Sequence, residues 1–123
     1  MRKEVYLITL TLFVLVTFSL NAQKSIMTYN IRYDTPNDGE NWWENRKHEV
    51  VDMLRHYQPD LFGIQEGLIG QVKFIDSSLV DYSYVGVGRD DGIEKGEFTA
   101  IFFNNHTIEL IETTTYWLSE SPG

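Results

Sequence analysis

Residues 25–33 read SIMTYNIRY, a nearly continuous run of apolar and β-favouring side chains. Such a run predicts a strand that is covered on both faces. The turn-rich acidic loop DTPNDGEN follows at residues 34–41, and LFGIQ at residues 61–65 predicts a second short buried strand. The first part of the domain is therefore expected to contain two buried strands separated by a loop and a further segment.

Two stretches carry apolar side chains at helical spacing. The first helix is expected to begin near Asn41 and Glu44, which resemble a capping box, and to end before Pro59. Its apolar face is Trp43, Val50, Leu54 and Tyr57. The apolar face of the second helix is Leu68, Val72, Ile75 and Leu79.

Three further strands are predicted in the C-terminal part. YSYVGVG at residues 82–88 predicts one, and FTAIFF at 98–103 with TIELIETTT at 107–115 predicts a hairpin that turns at Asn104 and Asn105. The order β-α-β-α-β-β-β indicates a layered α/β fold with mixed strand directions.

Composition excludes several classes of function. The 123 residues carry a formal net charge of −8, so broad electrostatic binding to nucleic acid or anionic lipid is disfavoured. Because the chain has no cysteine, disulfide frameworks, thiolate zinc sites and cysteine nucleophiles are excluded. The 42% of hydrophobic residues is enough for a packed core.

Residues 1–22 have the pattern of a signal peptide. Arg2 and Lys3 precede an uncharged apolar stretch over residues 5–20, and Ala22 offers a small residue at the expected cleavage site. The stretch is shorter than the roughly 20 residues that span a bilayer, although an uncleaved membrane anchor is the alternative. The protein is thus expected to be exported to the periplasm or outside the cell, with residues 23–123 as the mature domain.

Three polar residues fall at the ends of predicted strands. Asn30 lies late in the first strand, Glu66 closes the second, and Arg89 follows the third. Ligands of α/β sheets bind outside the carboxyl ends of the strands, and a carboxylate, an amide and a guanidinium there suit phosphate ester hydrolysis. Mg²⁺ needs only one or two carboxylates beside water and phosphate oxygens, and a guanidinium can bind two phosphate oxygens.

Each of these residues also has a structural alternative. Glu66 could cap the following helix, and Asn30 could be a buried amide paired with the backbone. Arg89 could pair with Asp90 or Asp91 in a solvated loop. The acidic residues of the 34–41 loop could assist a second ion, but a surface turn is the simpler interpretation.

Several motifs resemble the exported bacterial branch of the endonuclease/exonuclease/phosphatase superfamily. They are TYNIR at 28–32, PDLFGIQE at 59–66, GVGRDDG at 86–92, GE at 96–97 with AIFF at 100–103, and YWLSE at 116–120. The resemblance implies a four-layer α/β/β/α sandwich with mixed β-sheets, of which residues 23–123 are the N-terminal half. It also implies Mg²⁺ or Mn²⁺ at Glu66, a catalytic role for Asn30 at the phosphate site and, as a looser match, substrate binding by Arg89.

The resemblance places the catalytic base, a histidine with its aspartate, in the second half of the fold, outside these residues. The expected function is therefore a divalent-metal-dependent phosphoesterase, present here as a fragment that is inactive alone. Its substrate is expected to be a phosphorylated small molecule, a lipid headgroup or a nucleic acid, with no stable protein partner and no membrane span after signal cleavage. The alternative is a non-catalytic secreted binding module on the same fold.

Overall fold

Residues 23–118 are described by a computed structural model. The predicted signal peptide, residues 1–22, and residues 119–123 lie outside the described part. The elements in chain order are β1 (Ile26–Asn30), a 3₁₀ helix (Pro36–Asn41), α1 (Trp43–Tyr57), β2 (Leu61–Gln65), α2 (Ile69–Ser78), β3 (Tyr82–Val85) and β4 (Ile101–Asn104).

The four strands form one mixed sheet in the order β1-β2-β4-β3. β1 and β2 are parallel, and β4 is antiparallel to both β2 and β3. The register pairs Asn30 with Gln65, so β1 and β2 end side by side. Because β3 runs in the same direction as β2, the carboxyl ends of β1, β2 and β3 all lie at one edge of the sheet. The mixed strand directions predicted from the sequence are confirmed.

Both helices pack on one face of the sheet. Phe62, Ile64 and Phe102 point to this face and are fully buried, and the Phe62 ring stacks on that of Phe102 with centroids 4.8 Å apart. The helices bury the apolar side chains Trp43, Val50, Val51, Leu54, Val72 and Ile75 against them. The side-chain period of two along a strand therefore puts the alternate residues, Asn30 among them, on the opposite face.

That opposite face is more open. Thr28 and Asn30 are exposed on β1, whereas residues 108–113 pass beside Leu61, Ile101 and Phe103 and form an open cavity with them. Among residues 23–118, the two helices are too short and too polar to cross a membrane.

The prediction that residues 107–115 form a strand paired with β4 in a hairpin is wrong. Residues 108–117 contain no strand, and the chain turns after β4 through hydrogen bonds from the N–H groups of Thr107 and Ile108 to the carbonyl of Asn104. The physical reason is the strand order: β4 lies between β2 and β3, so neither of its edges is vacant for another strand.

Two details of α1 also differ from the prediction. Its N-cap is Trp42 with no side-chain cap, because Asn41 ends the preceding 3₁₀ helix and the Glu44 carboxylate accepts a hydrogen bond from Lys47 instead. Tyr57 does not belong to the core: it is the last residue of α1, is 64% exposed and packs its ring against that of His56.

Candidate functional site

The three strand-end residues predicted from the sequence lie at the same edge of the sheet. Asn30 is the last residue of β1, Glu66 directly follows β2, and Arg89 is the fourth residue after the end of β3. Backbone bridges from Phe98 to Gly67 and to Gly88 tie the segments after β2 and β3 together. The shared edge follows from the parallel directions of β1, β2 and β3.

Asn30 and Glu66 are in direct contact. The amide Nδ2 of Asn30 donates to Oε1 of Glu66 at 2.7 Å, and the backbone N–H of Tyr33 donates to Oε2 at 3.3 Å. The Asn30 amide has a fixed orientation, because its Oδ1 accepts from the backbone N–H of Arg32 at 2.9 Å. The carboxylate of Glu66 is thus held by two neutral donors on one side.

Glu66 does not cap the following helix. The N-cap of α2 is Leu68, and the hydrogen bonds of the Glu66 carboxylate come from residues of the β1 side instead. Asn30 does pair with the backbone, as its structural alternative required, but it is exposed rather than buried.

The backbone at this edge is strained. Arg32 and Glu66 adopt φ values of 65° and 61°, in the left-handed region that costs a non-glycine residue roughly 1–2 kcal/mol. Such conformations persist only where the surrounding contacts enforce them, and they concentrate at functional sites. Both strained residues belong to the hydrogen-bonded group around Glu66.

The guanidinium of Arg32 pairs with Asp38 and not with Glu66. Both the Nε and Nη2 groups of Arg32 donate to the carboxylate of Asp38, the latter at 2.7 Å. Hydrogen bonding and charge from Asp38 raise the pKa of Arg32, and the same hydrogen bond lowers the pKa of Asp38. Within residues 23–118, Glu66 consequently forms no salt bridge.

These residues fit a hard divalent cation. Glu66 supplies a partly exposed carboxylate, the type of ligand that Mg²⁺ takes once or twice while keeping water and phosphate oxygens. Residues 23–118 contain no group of three or more histidines and acidic residues able to form a complete metal cage. A cation held at Glu66 would therefore need further ligands from substrate, water or other parts of the protein.

Arg89 forms no hydrogen bond or ion pair with Asn30 or Glu66. Its guanidinium, with a side chain 61% exposed, binds Asp90 at 3.1 Å and Glu97 at 3.0 Å, as the structural alternative predicted for Asp90. The hydrogen bond with Asp90, followed by the charge of Glu97, raises the pKa of Arg89. Arg89 and Glu97 line an open cavity of about 360 Å³ together with Tyr116 and Trp117.

Two of the three acidic residues in the 34–41 loop, Asp34 and Asp38, form local contacts. Asp34 accepts a hydrogen bond of 2.7 Å from the Trp42 indole, and Asp38 binds Arg32. These two carboxylates are thus occupied by contacts with the residues that flank the loop, Trp42 and Arg32, in keeping with the surface-turn interpretation.

Two contributors were not identified from the sequence. The hydrogen bond from the backbone N–H of Tyr33 to Glu66 could not be predicted from the sequence, because every residue has a backbone N–H and its position depends on the turn after β1. The sequence did carry a signal for Gln71: it is a polar residue four positions before Ile75, on the buried face of α2, and it is fully buried.

A family model matches most of the described chain. The model of the endonuclease/exonuclease/phosphatase family covers residues 27–117. None of the curated proteins compared with the chain matches it.

Solved structures with the same fold include bacterial and eukaryotic proteins. An endonuclease/exonuclease/phosphatase from Bacteroides vulgatus is 39% identical with a TM-score of 0.74, over 77% of this chain and 36% of its own. A mannosyl-6-phosphatase from Bacteroides thetaiotaomicron is 34% identical with a TM-score of 0.76, over 81% of this chain and 38% of its own. A D. rerio TDP2 complexed with single-strand DNA product is 23% identical with a TM-score of 0.55, over 70% of this chain and 31% of its own, which shows the fold alone. The chain thus spans less than two fifths of the length of these proteins.

Proposed function

The chain belongs to the endonuclease/exonuclease/phosphatase family, and on that premise we propose that it is the N-terminal part of a divalent-metal-dependent phosphoesterase. The observation that supports this most is the contact between Asn30 and Glu66 at the carboxyl edge of the sheet. A partly exposed carboxylate oriented by neutral donors, within a strained backbone, has the chemistry of a cation ligand.

In this proposal Glu66 binds Mg²⁺ or Mn²⁺, and Asn30 orients the carboxylate. When bound, the ion neutralises the negative charge that develops on the phosphoryl oxygens. The Nδ2 atom of Asn30 carries two hydrogens, so one can donate to Glu66 while the other donates to a phosphate oxygen. The general base comes from a part of the fold outside residues 23–118, and the 123 residues alone are expected to be inactive.

We further propose a phosphorylated small molecule, such as a sugar phosphate, as substrate. The formal charge of −8 disfavours a long polyanion, although a bound cation reverses the field locally. Among the similar structures, the mannosyl-6-phosphatase is 34% identical, whereas the DNA-bound protein is 23% identical. Arg89 would bind an anionic or hydroxyl group of the substrate in the cavity that it lines.

Export to the periplasm or the extracellular space is part of the same proposal. It rests on the sequence of residues 1–22 alone, where two basic residues precede an uncharged apolar run. Fractionation of cells that express the full-length protein, with detection of a shortened chain outside the cytoplasm, tests it.

The activity is tested with the full-length natural protein that contains these residues. It is incubated with a sugar 6-phosphate, a phosphodiester and single-stranded DNA, each with Mg²⁺, with Mn²⁺ or with EDTA. We expect hydrolysis of the sugar phosphate that EDTA abolishes, and no hydrolysis by the 123-residue chain. Absence of hydrolysis of every substrate with either ion would instead support the non-catalytic binding module.

A further inference from the structure

Gln71 is a fully buried polar side chain on α2, surrounded by an otherwise apolar core. Its Oε1 accepts a hydrogen bond from the backbone N–H of Leu68 at 2.8 Å, and its Nε2 donates to the backbone carbonyl of Arg32 at 3.0 Å. One amide thereby joins the start of α2 to the segment after β1.

Gln71 binds the carbonyl of Arg32, which follows β1, and the N–H of Leu68, which follows β2. Arg32 is itself in the left-handed region, and Leu68 lies two residues after the left-handed Glu66. The N–H of Arg32 binds Asn30, and Asn30 binds Glu66. Hydrogen bonds therefore link Gln71 to Arg32, Arg32 to Asn30 and Asn30 to Glu66, and the backbone from Glu66 to Leu68 leads back to the hydrogen bond between Leu68 and Gln71.

We propose that Gln71 is a positioning residue, whose buried amide holds the two left-handed turns in register so that Asn30 and the Tyr33 N–H meet the Glu66 carboxylate. This inference rests on the proposed function for the identity of the ion that Glu66 binds. Its physical basis is that a buried amide has no water to bind, so losing it leaves the Arg32 carbonyl and the Leu68 N–H without their partners. The strained turns can then relax away from the geometry that suits a cation.

A purely structural role for Gln71 predicts something different. The side chain would then contribute only to the stability of the core, as its neighbour Val72 does, since both are fully buried on the same helix. Val72→Ala is therefore the matched control: it removes core volume from α2 and touches no hydrogen bond of the site.

The variants are Gln71→Met, which keeps the length but loses both hydrogen bonds, and Gln71→Glu, which retains an acceptor for Leu68. The first measurement is the affinity of the full-length protein for Mn²⁺ alone by calorimetry. A direct partner of a metal ligand typically affects affinity 10- to 100-fold, and Gln71 acts one step further away, through Arg32 and Asn30. We therefore expect Gln71→Met to bind Mn²⁺ about three- to tenfold more weakly, and Val72→Ala to bind as wild type does.

The second measurement is amide hydrogen exchange at Arg32 and Tyr33, whose N–H groups bind Asn30 and Glu66. We expect Gln71→Met and Gln71→Glu to accelerate it more than Val72→Ala does. Equal exchange in all three variants, or unchanged Mn²⁺ affinity in both Gln71 variants, overturns the positioning role. If the wild-type protein itself binds no Mn²⁺, the proposed function fails, and the exchange measurement alone decides the role of Gln71.

Discussion

The side chains of Asn30 and Glu66 are 36 residues apart in the sequence and share a hydrogen bond of 2.7 Å. The contact is a consequence of the sheet register, because the parallel pairing of Asn30 with Gln65 brings the residue after β2 beside the last residue of β1. The position of the Glu66 carboxylate is thus determined by backbone pairing and by the amide of Asn30.

Asn30→Ala should weaken metal binding by the full-length protein. Removing the amide takes one donor from the Glu66 carboxylate and frees the carboxylate to rotate. We expect Mn²⁺ affinity, measured by calorimetry, to fall about tenfold, which is the lower end of the loss seen when a residue hydrogen-bonded to a metal ligand is removed. Asn41→Ala, a change at another exposed asparagine, is the control, and an equal effect of the two variants would show that Asn30 does not orient the ligand.

Arg89→Ala should raise KM and leave kcat nearly unchanged. Arg89 does not contact the Asn30–Glu66 pair, so in our proposal it contributes to substrate binding and not to the chemical step. Loss of charge-assisted hydrogen bonds to an anion predicts a KM increase of roughly tenfold on a sugar phosphate. Arg55→Ala, at the far end of α1, should have no effect, and an unchanged KM for Arg89→Ala would remove Arg89 from the substrate site.

Asp60 should make the fold sensitive to acid. Hydrogen bonds from Thr107, then from the backbone N–H of Ser25, lower the pKa of Asp60 from its ordinary 3.8 to about 2. The folded state therefore favours the ionised carboxylate, and the stabilisation is present above about pH 4 and lost as the pH falls toward 2.

The test is urea unfolding of the full-length protein between these two pH values. The midpoint of the wild-type protein should fall more steeply with decreasing pH than that of Asp60→Asn, since only the former loses an ionised, hydrogen-bonded carboxylate. Asp52→Asn, on the exposed side of α1, is the control for removing one charge. If the urea midpoints of wild type and Asp60→Asn change in parallel with pH, the lowered pKa of Asp60 in the folded state is contradicted.

The sequence was sufficient to predict where the candidate site residues lie in the fold, because their position depends on the order and direction of the strands. Strands at residues 25–33, 61–65 and 82–88 were predicted from apolar runs, and parallel directions bring their carboxyl ends to one edge. Asn30, Glu66 and Arg89 therefore lie at that edge, as expected. Periodicity also identified both helices, since Val50, Leu54, Val72 and Ile75 are buried.

The errors came from interactions that no local pattern encodes. TIELIETTT at residues 107–115 has β-favouring residues, but a strand needs a vacant edge, and β2 and β3 already occupy both edges of β4. The left-handed conformations of Arg32 and Glu66 have no local signature either, since neither residue is a glycine. They depend on distant partners such as Gln71, which only the folded chain brings to Arg32.

The central claim is that the carboxylate of Glu66 binds the divalent cation. It is tested most directly by calorimetric titration of Mn²⁺ into the full-length protein, its Glu66→Gln variant and a control, Glu49→Gln, which removes an exposed carboxylate on α1. Glutamine keeps the size of the side chain and removes its charge, so the fold should persist. We expect Glu66→Gln to lose at least about tenfold in affinity, since even a partner of a metal ligand is worth that much, while Glu49→Gln binds as wild type does. Equal Mn²⁺ affinities in all three proteins would contradict the account.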